Sequence, residues 1–180
     1  MRKLIESTFV TLDGVIGSPE KWGSPYWDEE HSGYADALFS SCDALLLGRV
    51  TYEAFAGVWP KMEAAGDADA ARMNALPKYV ASRTLTETTW NATLIEGDVA
   101  EEVARIKELP GRNILKYGTG ELDRVLLEHQ LVDEYHFWMF PVVAGGGQRL
   151  FDGIDTTHLK LTRSTQFASG IVVLVYEPGR

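Results

Sequence analysis

The sequence has a single cysteine, Cys42, so no disulfide can close within the chain, and the small secreted folds that depend on such bridges are excluded. It also lacks any run of eighteen or more apolar residues, which excludes a membrane-spanning helix. The opening MRKLIESTFVTLDG carries two basic residues, but Glu6, Ser7, Thr8 and Thr11 interrupt its apolar stretch, and it reads as neither a signal peptide nor an anchor. Positive charge is scarce as well. Seventeen lysines and arginines stand against twenty-six acidic residues, a net charge of -9; a field of that sign repels a phosphate backbone, so nucleic acid is not an expected partner. The expectation is a cytoplasmic protein.

What remains is ordinary for a globular chain: 45% hydrophobic and 24% charged residues over 180 positions, the size of one domain spanning 1–180. Residues 3–10 are strand formers ended by Asp13-Gly14. Residues 14–27 hold Gly17, Pro19, Gly23 and Pro25 and end in bulky aromatics, the composition of a long functional loop. A helix is expected over 28–40, with Tyr34 and Leu38 on its inner face, extended by Ala35 and Phe39. The continuous apolar run Ala44-Leu45-Leu46-Leu47 predicts a strand covered on both sides, and residues 50–59 a helix ended by Pro60. Further strands are expected at 78–82, 91–95 and 113–117, with helices from 99 and from 121; Leu122, Val125, Leu126 and His129 are read as inward. Strand and helix alternate up to that point, the mark of a parallel sheet. The end of the chain differs. Residues 133–143, 159–167 and 171–177 read as strands, and Ala168-Ser169-Gly170 leaves room only for an antiparallel hairpin. The fold class is therefore α/β: a mixed, mainly parallel sheet with a C-terminal antiparallel hairpin.

Few arrangements carry chemistry. The four histidines are scattered, no metal site is expected, and His136 reads as a packed or hydrogen-bonded residue. No Gly-x-Ser-x-Gly elbow is present, and Cys42 opens an apolar strand where a thiol is usually inert. The glycines say more. Gly48-Arg49 and Gly118-Thr119-Gly120 each lie between a strand and a helix, with Ser82-Arg83 ending another strand. Such junctions line the ligand crevice of an open α/β sheet, and glycine lets backbone approach a phosphate. Neither the Gly-x-Gly-x-x-Gly fingerprint nor a Gly-Lys-Ser/Thr phosphate loop occurs. Gly145-Gly146-Gly147 is read as a bulge or tight crossing that positions Arg149.

Taken in order, these segments resemble a known superfamily. Gly48-Arg49-Val50-Thr51-Tyr52-Glu53 looks like the Gly-Arg-x-Thr-aromatic-Glu motif of dihydrofolate reductases. The stretch from Val132-Asp133-Glu134-Tyr135-His136 through Pro141-Val142-Val143-Ala144-Gly145-Gly146-Gly147-Gln148-Arg149-Leu150-Phe151 is similar to the C-terminal reductase domain of bacterial riboflavin-biosynthesis proteins, as is Thr11-Leu12-Asp13-Gly14 closing the first strand. The resemblance implies a dihydrofolate-reductase-like, three-layer α/β/α fold that binds NADPH. It implies that Gly48, Arg49 and Thr51 face the cofactor phosphates, that Ser82 and Arg83 take the adenosine 2'-phosphate, and that Gly118, Thr119 and Gly120 pass under the pyrophosphate. Asp13 and Gly14 would open the mobile loop beside the nicotinamide.

For catalysis, dihydrofolate reductases place one carboxylate on the first helix. Among Asp28, Glu29, Glu30 and Asp36, Asp36 is the interior candidate here, with Tyr34 or a water as other proton sources; Asp13 is the second catalytic candidate. No pteridine-binding pattern is present. The implied reaction is hydride transfer to a C=N or C=O group of a small molecule, heteroaromatic or phosphoribosyl-linked, with the aminouracil ribosyl phosphate of the riboflavin pathway as one such substrate. Trp22, Tyr26, Trp27 and Trp59 would stack on a flat ring, and Lys21, Lys116 or Arg149 would contact a substrate phosphate. The family's C-terminal strand and crossing also imply a homodimer. The alternative is a non-catalytic dinucleotide-binding or structural homodimeric protein on the same fold.

Overall fold

The computed structural model describes residues 1–179. Eight strands form one sheet in the order β4-β3-β2-β5-β1-β6-β8-β7: β1 Leu4–Thr11, β2 Cys42–Gly48, β3 Lys78–Ala81, β4 Ala92–Leu94, β5 Asn113–Tyr117, β6 Glu134–Phe140, β7 Leu159–Gln166 and β8 Val172–Pro178. Neighbours from β4 to β6 pair in parallel, while β8 runs antiparallel to β6 and to β7. The sheet is thus mixed and mainly parallel, as the alternation of elements predicted, and the 168–170 turn closes the hairpin. Gly170, at φ +95°, supplies the conformation that turn needs, with Pro141 packed against it.

Helices cover both faces, giving the three-layer α/β/α architecture. On one side, α2 (Glu29–Ser40), α3 (Arg49–Ala64) and α4 (Ala68–Ala75) bring Leu38, Tyr52 and Met73 onto Ile5, Leu45, Leu47 and Leu115. On the other, α5 (Val99–Glu108) and α6 (Glu121–Glu128) bring Val103, Ile106 and Leu126 onto Leu4, Val10, Leu46 and Ile114. Successive side chains of a strand point to opposite faces, so Leu45 and Leu46 serve different cores, and a continuous apolar run is what a central strand requires. Among the described residues no helix is long and apolar enough to cross a membrane.

Three expectations are corrected. Pro60 lies inside α3 rather than ending it; proline removes its own amide bond, but the later amides still close the last turn, Ala65 donating to the Lys61 carbonyl at 3.1 Å. His129 is exposed at the end of α6, and the inward position belongs to Asp123. The segment 14–27 is not irregular throughout: half of it forms helical pieces, α1 (Pro19–Trp22) and a 3-10 turn over Ser24–Tyr26, with Trp22 and Tyr26 edge-on to Phe140 at 5.2 and 5.9 Å.

Candidate functional site

Parallel strands end on one edge of the sheet, so the segments that follow β1, β2, β3 and β5 gather there. Gly118 leaves β5 at φ +69°, and a Cβ at that position would lie 3.4 Å from Thr51 Oγ1 in the first turn of α3. This places the Gly118-Thr119-Gly120 turn against the Gly48-Arg49-Val50-Thr51 start. Arg83, after β3, pairs with Glu121 at the start of α6; both side chains are largely exposed, so the pair is held loosely in solvent. The Thr119 carbonyl accepts from Gln148 Nε2 at 3.5 Å, linking this group to the glycine crossing after β6.

The helix starts differ in their chemistry. Asp28, Asp67 and Asp98 cap α2, α4 and α5, each accepting an amide of the first turn at 2.9 Å. In contrast, α3 and α6 begin at Gly48 and Gly120, which offer no side-chain acceptor. The first-turn amides that no N-cap side chain takes carry the positive end of each helix dipole. Thr119 Oγ1 is buried without a hydrogen-bond partner. A buried hydroxyl is ordinarily bonded; one left open in a glycine turn beside two such helix starts fits a phosphate or pyrophosphate.

A charged cluster supports this turn from below. Lys116 Nζ lies 2.8 Å from Asp123 Oδ1 and 3.4 Å from Glu6 Oε2, all three side chains being almost wholly buried. The same ammonium donates to the Gly118 carbonyl, and Asp123 Oδ2 accepts the Gly120 amide at 2.6 Å. Burial alone would lower the lysine, but two facing carboxylates raise it and keep it charged. Burial and the Asp123 charge push Glu6 well above the ordinary carboxylate range, against the pull of Lys116. One cation faces two acids, and burial favours the protonated form of Glu6. Lys116 is thus a buried strut of the Gly118-Thr119-Gly120 turn, not the substrate-phosphate contact expected from sequence.

Asp13 is equally committed. Its carboxylate accepts from Thr11 Oγ1 at 2.6 Å and from the amides of Ala144 and Gly145 at 3.0 and 2.8 Å, and these bonds, Thr11 first, lower it to about 2. It stays ionised and ties the end of β1 to the segment after β6, so it is not an acid for catalysis. The glycine crossing expected from sequence completes the tie: Arg149 donates to the Asp13 carbonyl, the Ile16 amide to Gln148 and the Leu150 amide to Gly14, both at 2.9 Å. At Gly147, φ +132°, a side chain would meet Val15 Cγ1 at 3.0 Å.

Asp36 is the clear misplacement. It lies on the outer face of α2, paired with Arg72 and 59% exposed, far from an interior role. The inner face of that helix instead carries His31 and Tyr34. Tyr34 Oη is 2.8 Å from His136 Nδ1, whose Nε2 is 2.6 Å from Glu134, so His136 is the hydrogen-bonded residue expected. Around His31 stand Phe9, Trp27 and Trp138, with Phe140, Trp22 and Tyr26 beyond. Trp59 does not join them; it packs on Phe55 of α3. Among the described residues no cluster has the makings of a metal site.

The family model described as RibD C-terminal domain matches residues 2–173. Protein YyaP of Bacillus subtilis is 34% identical over 97% of this chain and 94% of its own. In fold, the chain is similar to a Shewanella sp. PV-4 structure named for riboflavin biosynthesis, with TM-score 0.74 and 23% identity over 99% of both chains. It is also similar to the diaminohydroxyphosphoribosylaminopyrimidine deaminase/5-amino-6-(5-phosphoribosylamino)uracil reductase of Thermotoga maritima, with TM-score 0.67 and 15% identity over 99% of this chain and 57% of that one.

Proposed function

This chain belongs to the RibD C-terminal domain family, and from that premise we propose that it is an NADPH-dependent reductase of a small, flat acceptor carrying a C=N or C=O group. The observation that carries the reading is the pair of glycine helix starts, neither with an N-cap side-chain acceptor, beside the unpartnered Thr119 hydroxyl. Gly48, Arg49, Thr51 and Gly118 to Gly120 would hold the cofactor's phosphates through amides, a guanidinium and hydroxyls. Ser82 and Arg83 would hold the 2'-phosphate, which displaces Glu121 from the arginine. Gly14, after the fixed Asp13, borders the nicotinamide end. When bound, NADPH supplies the hydride.

The protein's own part is to orient the acceptor and keep water away. The rings of Phe9, Trp22, Tyr26 and Trp27, backed by the buried Trp138 and Phe140, make a low-dielectric wall, and the 14–27 segment forms its outer side. A flat heteroaromatic ring suits such a wall by stacking. We propose further that the protein acts in the cytoplasm as a homodimer, since β7 closes one edge of the sheet with most of its residues exposed and Leu161 bare.

Calorimetry with NADPH and NADH tests the cofactor. Micromolar NADPH binding, weakened in Arg49→Ala and Arg83→Ala, is expected. Absence of binding by either nucleotide at millimolar concentration removes the reductase and leaves a fold serving another ligand.

A further inference from the structure

Within the aromatic wall one polar side chain has no partner. His31 lies in the first turn of α2, is 9% exposed, and its Nε2 is buried without a hydrogen bond. Its ring lies 5.0 Å from that of Trp138, 5.5 Å from Phe9 and 5.8 Å from Trp27, which stacks nearly parallel to it. A buried imidazole nitrogen facing only rings costs stability unless a ligand or water meets it. Neighbouring polar groups are engaged: Tyr34 with His136 and Arg163, Trp138 Nε1 with Ser7 at 3.0 Å, Trp22 Nε1 with the Gly17 carbonyl at 2.9 Å.

We propose that His31 is the catalytic acid of the reductase: Nε2 binds the acceptor's ring nitrogen or carbonyl oxygen and delivers its proton. This rests on the reductase reading above and names the proton source that Asp36 and Asp13 do not provide. The step balances with the cofactor alone as reductant. The acceptor carbon gains hydride; the π bond of its C=N or C=O breaks, and its electron pair moves to nitrogen or oxygen. That atom takes the Nε2 proton of the His31 imidazolium, which becomes neutral imidazole, while the nicotinamide is left oxidised. Solvent then returns the proton.

The surroundings define the pH behaviour. From β1, β6 and the 14–27 segment the groups against His31 are the uncharged rings of Phe9, Trp138 and Trp27; on its own helix Asp28 is the nearby charge. The Tyr34–His136–Glu134 chain and Arg163 lie further along the same groove. Burial lowers His31 below the ordinary histidine value, and Asp28 offsets part of that. Because the charged form donates, turnover rises as pH falls through this midpoint.

The test is nitrogen NMR on the whole protein labelled at histidine and saturated with NADPH, adding diaminopyrimidine, diaminouracil or pterin in turn. At least one ring probe is expected to shift the His31 Nε2 signal and its titration midpoint. His31→Phe, which fills the same space with an uncharged ring, should weaken that probe about tenfold while NADPH affinity is unchanged. With an acceptor that is reduced, His31→Gln should lose the rise in turnover as pH falls. If the protein binds NADPH yet all three probes leave His31 unmoved, or His31→Phe binds the responding probe like the parent, the proposal is overturned. Failure of NADPH binding, with a probe still at His31, sinks the reductase reading and with it the acid role.

Discussion

The two faces of β1 are built for opposite tasks. Toward α6 it presents Glu6, which meets the Lys116–Asp123 pair beneath the Gly118-Thr119-Gly120 turn, and Thr8, whose hydroxyl donates to Glu6. Toward α2 and the 14–27 segment it presents Ser7 and Phe9, which meet Trp138, Phe140 and His31. One strand, with side chains alternating at every residue, thus separates a buried ionic site from an aromatic one. The difference follows from the ligands proposed for each side. A pyrophosphate needs amides held rigidly at fixed spacing, and charges bonded to the turn from behind supply that rigidity. A neutral flat ring needs surface without competing water, and aromatic side chains supply that.

The contrast is broken most severely on the ionic side. Lys116→Met leaves Glu6 and Asp123 buried without their cation, and losing one member of such a cluster costs about 3–5 kcal/mol. Urea unfolding should show this loss, and the weakened Gly118 and Gly120 contacts should also lower NADPH affinity. A variant as stable as the parent would mean that water reaches the cluster. On the aromatic side, Phe140→Ala removes the ring on which Trp22 and Tyr26 rest. Large-to-small changes at buried aromatics cost about 3 kcal/mol or more, here toward the low end because the outer segment can settle inward. Tryptophan fluorescence should redden, while NADPH binding stays near the parent value. Equal loss of NADPH binding in both variants would erase the proposed division of labour.

Arg83→Ala sharpens the same division at smaller cost. The guanidinium is mostly exposed and paired only with Glu121, so stability should hardly change. If it contacts the 2'-phosphate, NADPH binding falls about tenfold, or roughly 1.4 kcal/mol, and NADH binding is unaltered. Calorimetry with both nucleotides reads the difference, and parallel weakening of the two would move Arg83 to the pyrophosphate.

One of these faces is far more legible in the sequence than the other. Gly48, Gly118 and Gly120 sit at strand-to-helix junctions, Gly118 at a positive φ that favours glycine, and the structure gathers them with Arg49, Thr51, Ser82 and Arg83 on one edge. The ionic cluster escapes a reading of the sequence because Glu6 and Thr8 in a strand look like a solvated face. The available signal is position: a strand with helical layers on both sides has no solvated face, so its polar residues must find partners. Asp36 draws attention through its carboxylate, although it is off the Tyr34–Leu38 stripe. Extending that stripe back by three residues reaches His31, at the i, i+3, i+4, i+7 spacing of His31, Tyr34, Ala35 and Leu38. What spacing does not show is the ring of aromatics around His31, because its contacts to Trp138 and Phe140 of β6 join residues more than a hundred positions apart.

The smallest effect is expected at Glu6, and its sign discriminates most finely. Because the folded state raises this carboxyl, the fold binds a proton that the unfolded chain releases once pH passes the ordinary glutamate value of about 4.3. The unfolded state then holds fewer protons than the fold, so Glu6 makes stability fall as pH rises from there to its own folded midpoint. Glu6→Gln keeps the shape and polarity of the protonated acid but removes that titration. Relative to the parent it should lie within about 1 kcal/mol near pH 5 and gain ground as pH is raised, measured by urea unfolding across the range. Asp13 and Glu134, both lowered to about 2 by their hydrogen bonds, act in the opposite sense. Their contribution is present above the ordinary carboxylate range and is lost as pH falls toward 2, so the two groups of carboxylates are read in separate windows. If Glu6→Gln instead loses ground to the parent as pH rises above the ordinary glutamate value, Glu6 is an anion stabilised by Lys116, and a difference that is the same at every pH means that the fold does not shift this carboxyl.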